Sequence, residues 1–257
     1  MGVLVELVRA LPLGLRYVLS LLLFWPSILW ARLLSWAQPS SYRLWDRVSA
    51  SGNLLVGSAP VFPSDVRRLA KDGVTHIINA CAEWGGHPAL YAELGIRFLH
   101  APTLDFDPPS WKDALRCADF IRDALKGGGG RVLVHCKAGK GRSVFLALGY
   151  FVLHEGMKPR LADAQMRLQR PQISRKWSTP LIQAMESLSL ANAAAAPGGA
   201  RRGSGEGGGG AAAAAAAAAG SAPEELFLQL AEEGPRDREK ERLALRSVGG
   251  EGGSEQV

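Results

Sequence analysis

The run Arg131-Val132-Leu133-Val134-His135-Cys136-Lys137-Ala138-Gly139-Lys140-Gly141-Arg142-Ser143 decides the fold class. Its first five residues are compact and apolar enough for a buried strand, and Arg142–His154 reads as an apolar helix. Between them lies a turn carrying Gly139 and Gly141. Such a turn, after a strand and opening a helix, directs successive backbone N–H groups inward and adds the positive helix end, which makes an anion site. A cysteine at its head, Cys136, has its thiolate stabilised. Arg142 closes the ring six positions later with a planar fork that can hold two oxygens of a phosphoryl group. Ser143 is placed to hydrogen-bond the thiolate and ease its departure. The nucleotide-binding P-loop does not fit, because Gly141 follows Gly139-Lys140 where Ser or Thr is needed and Val134 stands where the first glycine would fall.

Outward from this run, strands and helices alternate. Asn53–Gly57 begins as a strand, and Pro63-Ser64-Asp65 starts a helix that carries Val66, Leu69 and Ala70 and closes at Gly73. Val74–Asn79 is β-branched and apolar enough for a buried strand. A short helix at Tyr91–Leu94 ends at Gly95, and Ile96–His100 is a further strand. A Pro-rich loop, 101–110, carries Asp105 and Asp107, and Trp111–Lys126 has helical spacing that ends in Gly127–Gly130. The pattern predicts an α/β domain with a central, mainly parallel sheet flanked by helices.

The 257 residues hold 30 Lys+Arg and 24 Asp+Glu, a formal charge of +6. That total divides into +3 for residues 1–47, +6 for 48–192 and −3 for 193–257, so no single basic surface for nucleic acid is implied. The last segment, rich in Gly and Ala, is expected to be a disordered tail, with short helices conceivable at Leu226–Leu230 and Lys240–Arg246. Residues 48–192 are the size of one compact domain. The separations of Cys81, Cys117 and Cys136 match neither a disulfide framework nor a zinc site, which points to a reducing compartment.

Residues 1–47 are expected to form a hydrophobic membrane anchor or targeting segment. Tyr17–Ala31 has no charge, about 22 Å of helix, and becomes long enough for a bilayer if Arg32 snorkels and the span runs to Trp36. Trp25, Trp30, Trp36 and Trp45 suit an interface. A cleaved secretory signal, a mitochondrial presequence and a buried core helix are the competing readings.

His135-Cys136, five residues and Arg142-Ser143 resemble the signature of the cysteine-dependent protein tyrosine phosphatase superfamily. The resemblance covers roughly Leu54–Leu188. The short domain and Arg170-Pro171 after a later helix are similar to its dual-specificity branch. Leu54–Pro60, the Thr103-Leu104-Asp105 loop and Cys136–Gly139 are similar to the mitochondrial phosphatidylglycerophosphate phosphatases of that branch. The loop with both Lys137 and Lys140 also resembles that of the phosphatase and tensin homologue, whose large lipid-binding second domain this chain lacks.

The resemblance implies a phosphocysteine mechanism that needs no metal and no cofactor. Cys136 attacks phosphorus, Arg142 and the amides of Lys137, Ala138, Gly139, Lys140, Gly141 and Ser143 hold the transferring group, and an aspartate protonates the leaving oxygen. Asp105 is favoured as that acid over Asp107, which can instead cap the following helix. His135 is expected to brace the loop by hydrogen bonding. Glu83 has a loose match to acidic residues of the lipid phosphatases, and an ordinary surface turn reads equally well. Lys137 and Lys140, taken as cations on the rim, favour a phospholipid head group over a phosphoprotein. The expected partners are therefore an anionic phospholipid or phosphoprotein and a membrane, with no nucleic acid. The mitochondrial inner membrane is favoured, and the endoplasmic reticulum is the alternative.

Overall fold

The computed structural model describes residues 7–174. Contacts divide the chain into two units, Met1–Glu186 and Ser187–Val257, and every described residue belongs to the first. The expected tail at 193–257, with its two candidate helices, lies outside the described residues.

Helix α1 spans Leu13–Ala37 and is followed by β1 (Trp45–Arg47), β2 (Leu54–Ser58), α2 (Pro63–Lys71), β3 (His76–Cys81), α3 (Pro88–Glu93) and β4 (Arg97–Thr103). Then come α4 (Trp111–Leu125), β5 (Val132–Cys136), α5 (Arg142–Leu153) and α6 (Pro159–Gln169). The strands form one sheet in the order β1-β2-β5-β3-β4, parallel except for β1. This is the expected α/β class. β1 pairs antiparallel with β2, so the sheet starts at Trp45, just ahead of the boundary expected after residue 47.

β5 is the middle strand, and its run of buried residues reflects cover on both faces. Leu55, Leu133 and Ile77 stand side by side across β2, β5 and β3 and pack with Val66 and Leu69 of α2 and Tyr91 of α3. Side chains alternate along a strand, so Val56, Val134 and Ile78 face the other layer, where α5 covers β2, β3 and β5. Ser58 and Cys136 are paired at the carboxyl ends of β2 and β5, where open α/β sheets build their sites.

The largest departures from the expected strand limits are at both ends of β3 and at the end of β4. β3 begins at His76, because the Val74 N–H turns back to the Leu69 carbonyl and Thr75 is held by Arg131. β4 runs on to Thr103, past an irregularity in its pairing with Asn79–Cys81, and so delivers a carbonyl into the site.

Candidate active site

The loop after β5 is shaped from outside. The Lys137 carbonyl accepts from Ala59 N–H (3.2 Å) and the Lys140 carbonyl from Ser174 N–H (3.0 Å). Arg170 takes the two between them, donating Nη2 to Ala138 (3.1 Å) and Nε to Gly139 (2.7 Å). In a trans peptide the N–H points opposite to its carbonyl, so four carbonyls tied outward turn the amides of Ala138, Gly139, Lys140 and Gly141 inward. The helix α5 opens at Arg142 and adds its positive end.

Two glycines let the loop approach the sheet. Gly139 has φ 67°, and a Cβ there would lie 2.4 Å from Gly57 C and 2.6 Å from Arg170 Nη2. A Cβ on Gly57 would meet the Trp45 ring at 2.2 Å. β2, the loop and Arg170 are thus packed at backbone contact.

Cys136 is buried, and its Sγ accepts from Gly139 N–H (3.3 Å) and from Ser143 Oγ (3.4 Å). Burial alone raises a thiol pKa, but the Arg142 guanidinium and these hydrogen bonds overcome it and hold Cys136 below the ordinary cysteine value. Cys81 and Cys117 show the contrast. Burial pushes the Cys81 thiol well up and that of Cys117 to about 12, so neither has thiolate character at neutral pH.

Arg142 is itself buried and is held as a fork. Glu83 grips it at both ends, Nη1 to Oε2 at 2.9 Å and Nη2 to Oε1 at 2.7 Å. Nη1 also donates to the Thr103 carbonyl (2.6 Å), and Nη2 to Asp105 Oδ1 (3.1 Å). Burial opposes the guanidinium's charge, and the Glu83 and Asp105 carboxylates with the Cys136 thiolate outweigh that penalty, so its pKa lies well above the usual value. Glu83 is a buried partner of the loop arginine; the surface-turn reading does not hold.

The structure separates the two aspartates. Asp105 reaches the site, where one oxygen meets Arg142 and the other meets the Lys137 ammonium. Phe106 has φ 72°, a left-handed turn that costs an L-residue roughly 1 kcal/mol or more. Beyond that turn, Asp107 bonds Arg16 of α1 at 2.8 Å. Asp107 does not cap α4, whose first turn is capped by Ser110, the Oγ accepting from Asp113 N–H at 3.0 Å.

Two expectations need correction, those for Lys137 and His135. Lys137 is no rim cation: it is buried and ion-paired with Asp105. Lys140 is half-buried with its ammonium 5.2 Å from the Tyr42 ring centroid, and burial followed by Arg170 lowers its pKa. His135 does not brace the loop with its ring, since neither ring nitrogen has a well-formed hydrogen bond. The Trp84 ring lies 5.7 Å from it between centroids, and burial drives its pKa to about 3, so it is neutral.

Arg170 and Asp46 complete the arrangement. Arg170 is fully buried and donates Nη1 to Asp46 Oδ2 at 2.7 Å, so a strand at the sheet edge supports the loop at its centre. Asp46 carried no signal in the sequence, and Arg170 stood out only through the Arg-Pro pair after a helix. Among the described residues no three His, Cys, Asp or Glu side chains gather as a metal site.

The chain matches the model for the dual specificity phosphatase catalytic domain over residues 56–185, half its length. It belongs to the dual-specificity phosphatase family. Among curated members, phosphatidylglycerophosphate phosphatase PTPMT2 of Arabidopsis thaliana is 35% identical over 156 residues, 59% of this chain and 66% of that protein. Human dual specificity protein phosphatase 26 is 40% identical over 92 residues, which cover 34% of this chain and less than half of the relative, 43%. In fold, this phosphatase is similar to the crystal structure of PTPMT1 in complex with PI(5)P, with a TM-score of 0.51 and 21% identity over 59% of this chain and 99% of that one.

Proposed function

We propose that this phosphatase hydrolyses a phospholipid phosphomonoester at a membrane through a phosphocysteine intermediate, with phosphatidylglycerophosphate as first substrate. The observation that carries the chemistry is the buried Cys136 sulfur, hydrogen-bonded by Gly139 and Ser143 inside a ring of inward amides that ends at Arg142. The thiolate attacks phosphorus in line, and the phosphorus–oxygen bond to the alcohol breaks. Asp105 gives its proton to the departing oxygen. It then takes a proton from water as that water attacks the phosphocysteine, phosphate leaves, and Ser143 and Gly139 receive the thiolate.

Asp105 is held by Arg142 and Lys137, two cations that an entering phosphoryl dianion also needs. The dianion displaces the carboxylate, which, freed of both cations, takes up a proton from solvent and stands as the acid beside the leaving group. Lys137 thus joins the acid to the substrate. A lipid substrate is supported by the kinship with phosphatidylglycerophosphate phosphatases and by the apolar helix α1, mean hydropathy 1.6, which we read as the membrane contact. The acid-poor, arginine-bearing start favours the mitochondrial inner membrane. A phosphoinositide is the second reading, the class of molecule held in the PTPMT1 complex. A phosphoprotein is the third.

Phosphate release from phosphatidylglycerophosphate, a phosphoinositide and a phosphopeptide in mixed micelles tests the assignment, with Cys136→Ser as control. The expected order is that sequence, with no turnover in the variant. Undiminished release by Cys136→Ser refutes the mechanism. Preference for the phosphopeptide, unchanged in Lys137→Ala, refutes the lipid assignment.

A further inference from the structure

We infer that α1 lies in the plane of a membrane surface, docked lengthwise on the catalytic domain, and does not cross the bilayer. This rests on the membrane reading above and specifies its geometry. Ser20, Phe24, Ile28 and Ala31 are buried at helical spacing along one face. Arginines hold both ends of that face. Arg16 pairs with Asp107 at 2.8 Å and Arg32 pairs with Asp65, its guanidinium also lying 4.4 Å from the Phe62 ring centroid. The two arginines are 16 positions apart, about 24 Å along the helix axis.

That separation decides the orientation. Asp65 and Asp107 belong to one folded domain, which can stand on only one side of a bilayer whose hydrocarbon is about 30 Å thick. A crossing helix would carry Arg16 and Arg32 toward opposite surfaces, and one pair would break. Both pairs form only if the axis runs along the domain.

The opposite face of α1 names what covers it. Leu15, Val18, Leu22, Leu29, Leu33 and Trp36 fall on one side at helical spacing and are all exposed, from 49% for Val18 to 81% for Trp36. No charge interrupts them. A docked helix of a soluble protein carries polar residues on its outer face, and a continuous apolar one marks a contact surface. Lipid fits better than a second copy of the chain. Trp25, Trp30 and Trp36, each at least half exposed, are rings that settle at headgroup level. The same helix also touches both loops that support the chemistry. Phe24 stacks on Trp84 (6.3 Å), the neighbour of Glu83, and Arg16 pairs with Asp107, two residues beyond Asp105. A helix lying flat therefore sets the site close to the surface that holds its substrate.

The test uses the full chain with vesicles of phosphatidylcholine and phosphatidylglycerol. Nitroxide labels are attached at Leu15→Cys, Leu22→Cys, Leu29→Cys and Trp36→Cys, one per protein, and depth is read from collisions with oxygen and a nickel complex. The parent chain, whose three cysteines are buried, measures background labelling. The four labels are expected at one similar depth, roughly 5–10 Å into the headgroup and acyl boundary. Leu22 and Leu29 near the midplane, with Leu15 and Trp36 at opposite surfaces, would overturn the in-plane geometry and leave membrane binding intact. Labels that stay in water, or pair only with a second copy, would overturn the membrane reading itself. A Leu22→Glu, Leu29→Glu double variant is expected to lose about 100-fold in vesicle binding, roughly tenfold per leucine, with turnover of a small soluble aryl phosphate unchanged. Unchanged binding would also overturn the proposal.

Discussion

Replacing Glu83 by Gln tests whether the loop arginine Arg142 depends on its buried partner. Glu83 accepts two N–H groups from Arg142, at 2.7 and 2.9 Å, and both side chains are almost wholly removed from water. Glutamine keeps the size of glutamate but has one acceptor oxygen, so its amide nitrogen meets a guanidinium nitrogen as donor against donor. A hydrogen bond to a charged group contributes about 1.5–3 kcal/mol. If that loss falls on the transition state, kcat drops about 10- to 150-fold. The folded state loses as well, because half of a buried pair is removed. About 2 kcal/mol in a domain of this size lowers Tm by about 4–8 °C. Steady-state hydrolysis of an aryl phosphate, measured below the melting temperature, separates the two effects. Mispositioned Arg142 lowers kcat more than it changes KM, and Glu83→Ala falls further than Glu83→Gln. A variant that melts lower yet keeps kcat within about twofold of the parent would refute the positioning argument and leave Glu83 a structural residue.

Asp105→Asn is expected to lower kcat by about 10²–10⁴ on an alkyl phosphate and far less on a phosphate with a good leaving group, whereas Asp107→Asn changes either rate only slightly. Equal losses from the two variants, read from the same leaving-group series, would overturn the choice of Asp105. His135 supplies a pH signature in stability. With a folded pKa of about 3 against an ordinary 6.5, it takes up its proton in the unfolded chain first. Stability therefore falls as pH drops from about 6.5 toward 3, by about 1.4 kcal/mol per unit from this group. Urea unfolding of the parent and of His135→Asn between pH 7 and 4.5 should give a shallower loss for the variant, and identical slopes would contradict a buried neutral imidazole.

The short-range features were legible because they follow from chain-local physics. A strand, a two-glycine turn and an apolar helix in order are enough to place Cys136, Arg142 and Ser143 around an anion, and alternating periods are enough for the α/β class. Asp105 was legible as one of two candidates. What separated it from Asp107 is the left-handed turn at Phe106, together with partners from other elements: Lys137 and Arg142 for one carboxylate and Arg16 for the other. A sequence pattern does not report such a divergence, because it depends on what the third dimension brings alongside.

The same reason explains the remaining differences. A lysine in a glycine loop looks solvated until Asp105 is placed against it. Glu83 in Ala82-Glu83-Trp84-Gly85-Gly86 looks like a turn until β3 and β5 become neighbours and set it over Arg142. Arg170 and Asp46 lie 124 positions apart and become the support of the loop only when strand β1 joins the sheet. The sequence by itself thus determined the cysteine-headed anion loop and the class of fold, which are written in residues close along the chain. Tertiary structure alone decided which charges neutralise one another and which face of α1 meets the domain, because burial and pairing between distant residues exist only once the chain is packed.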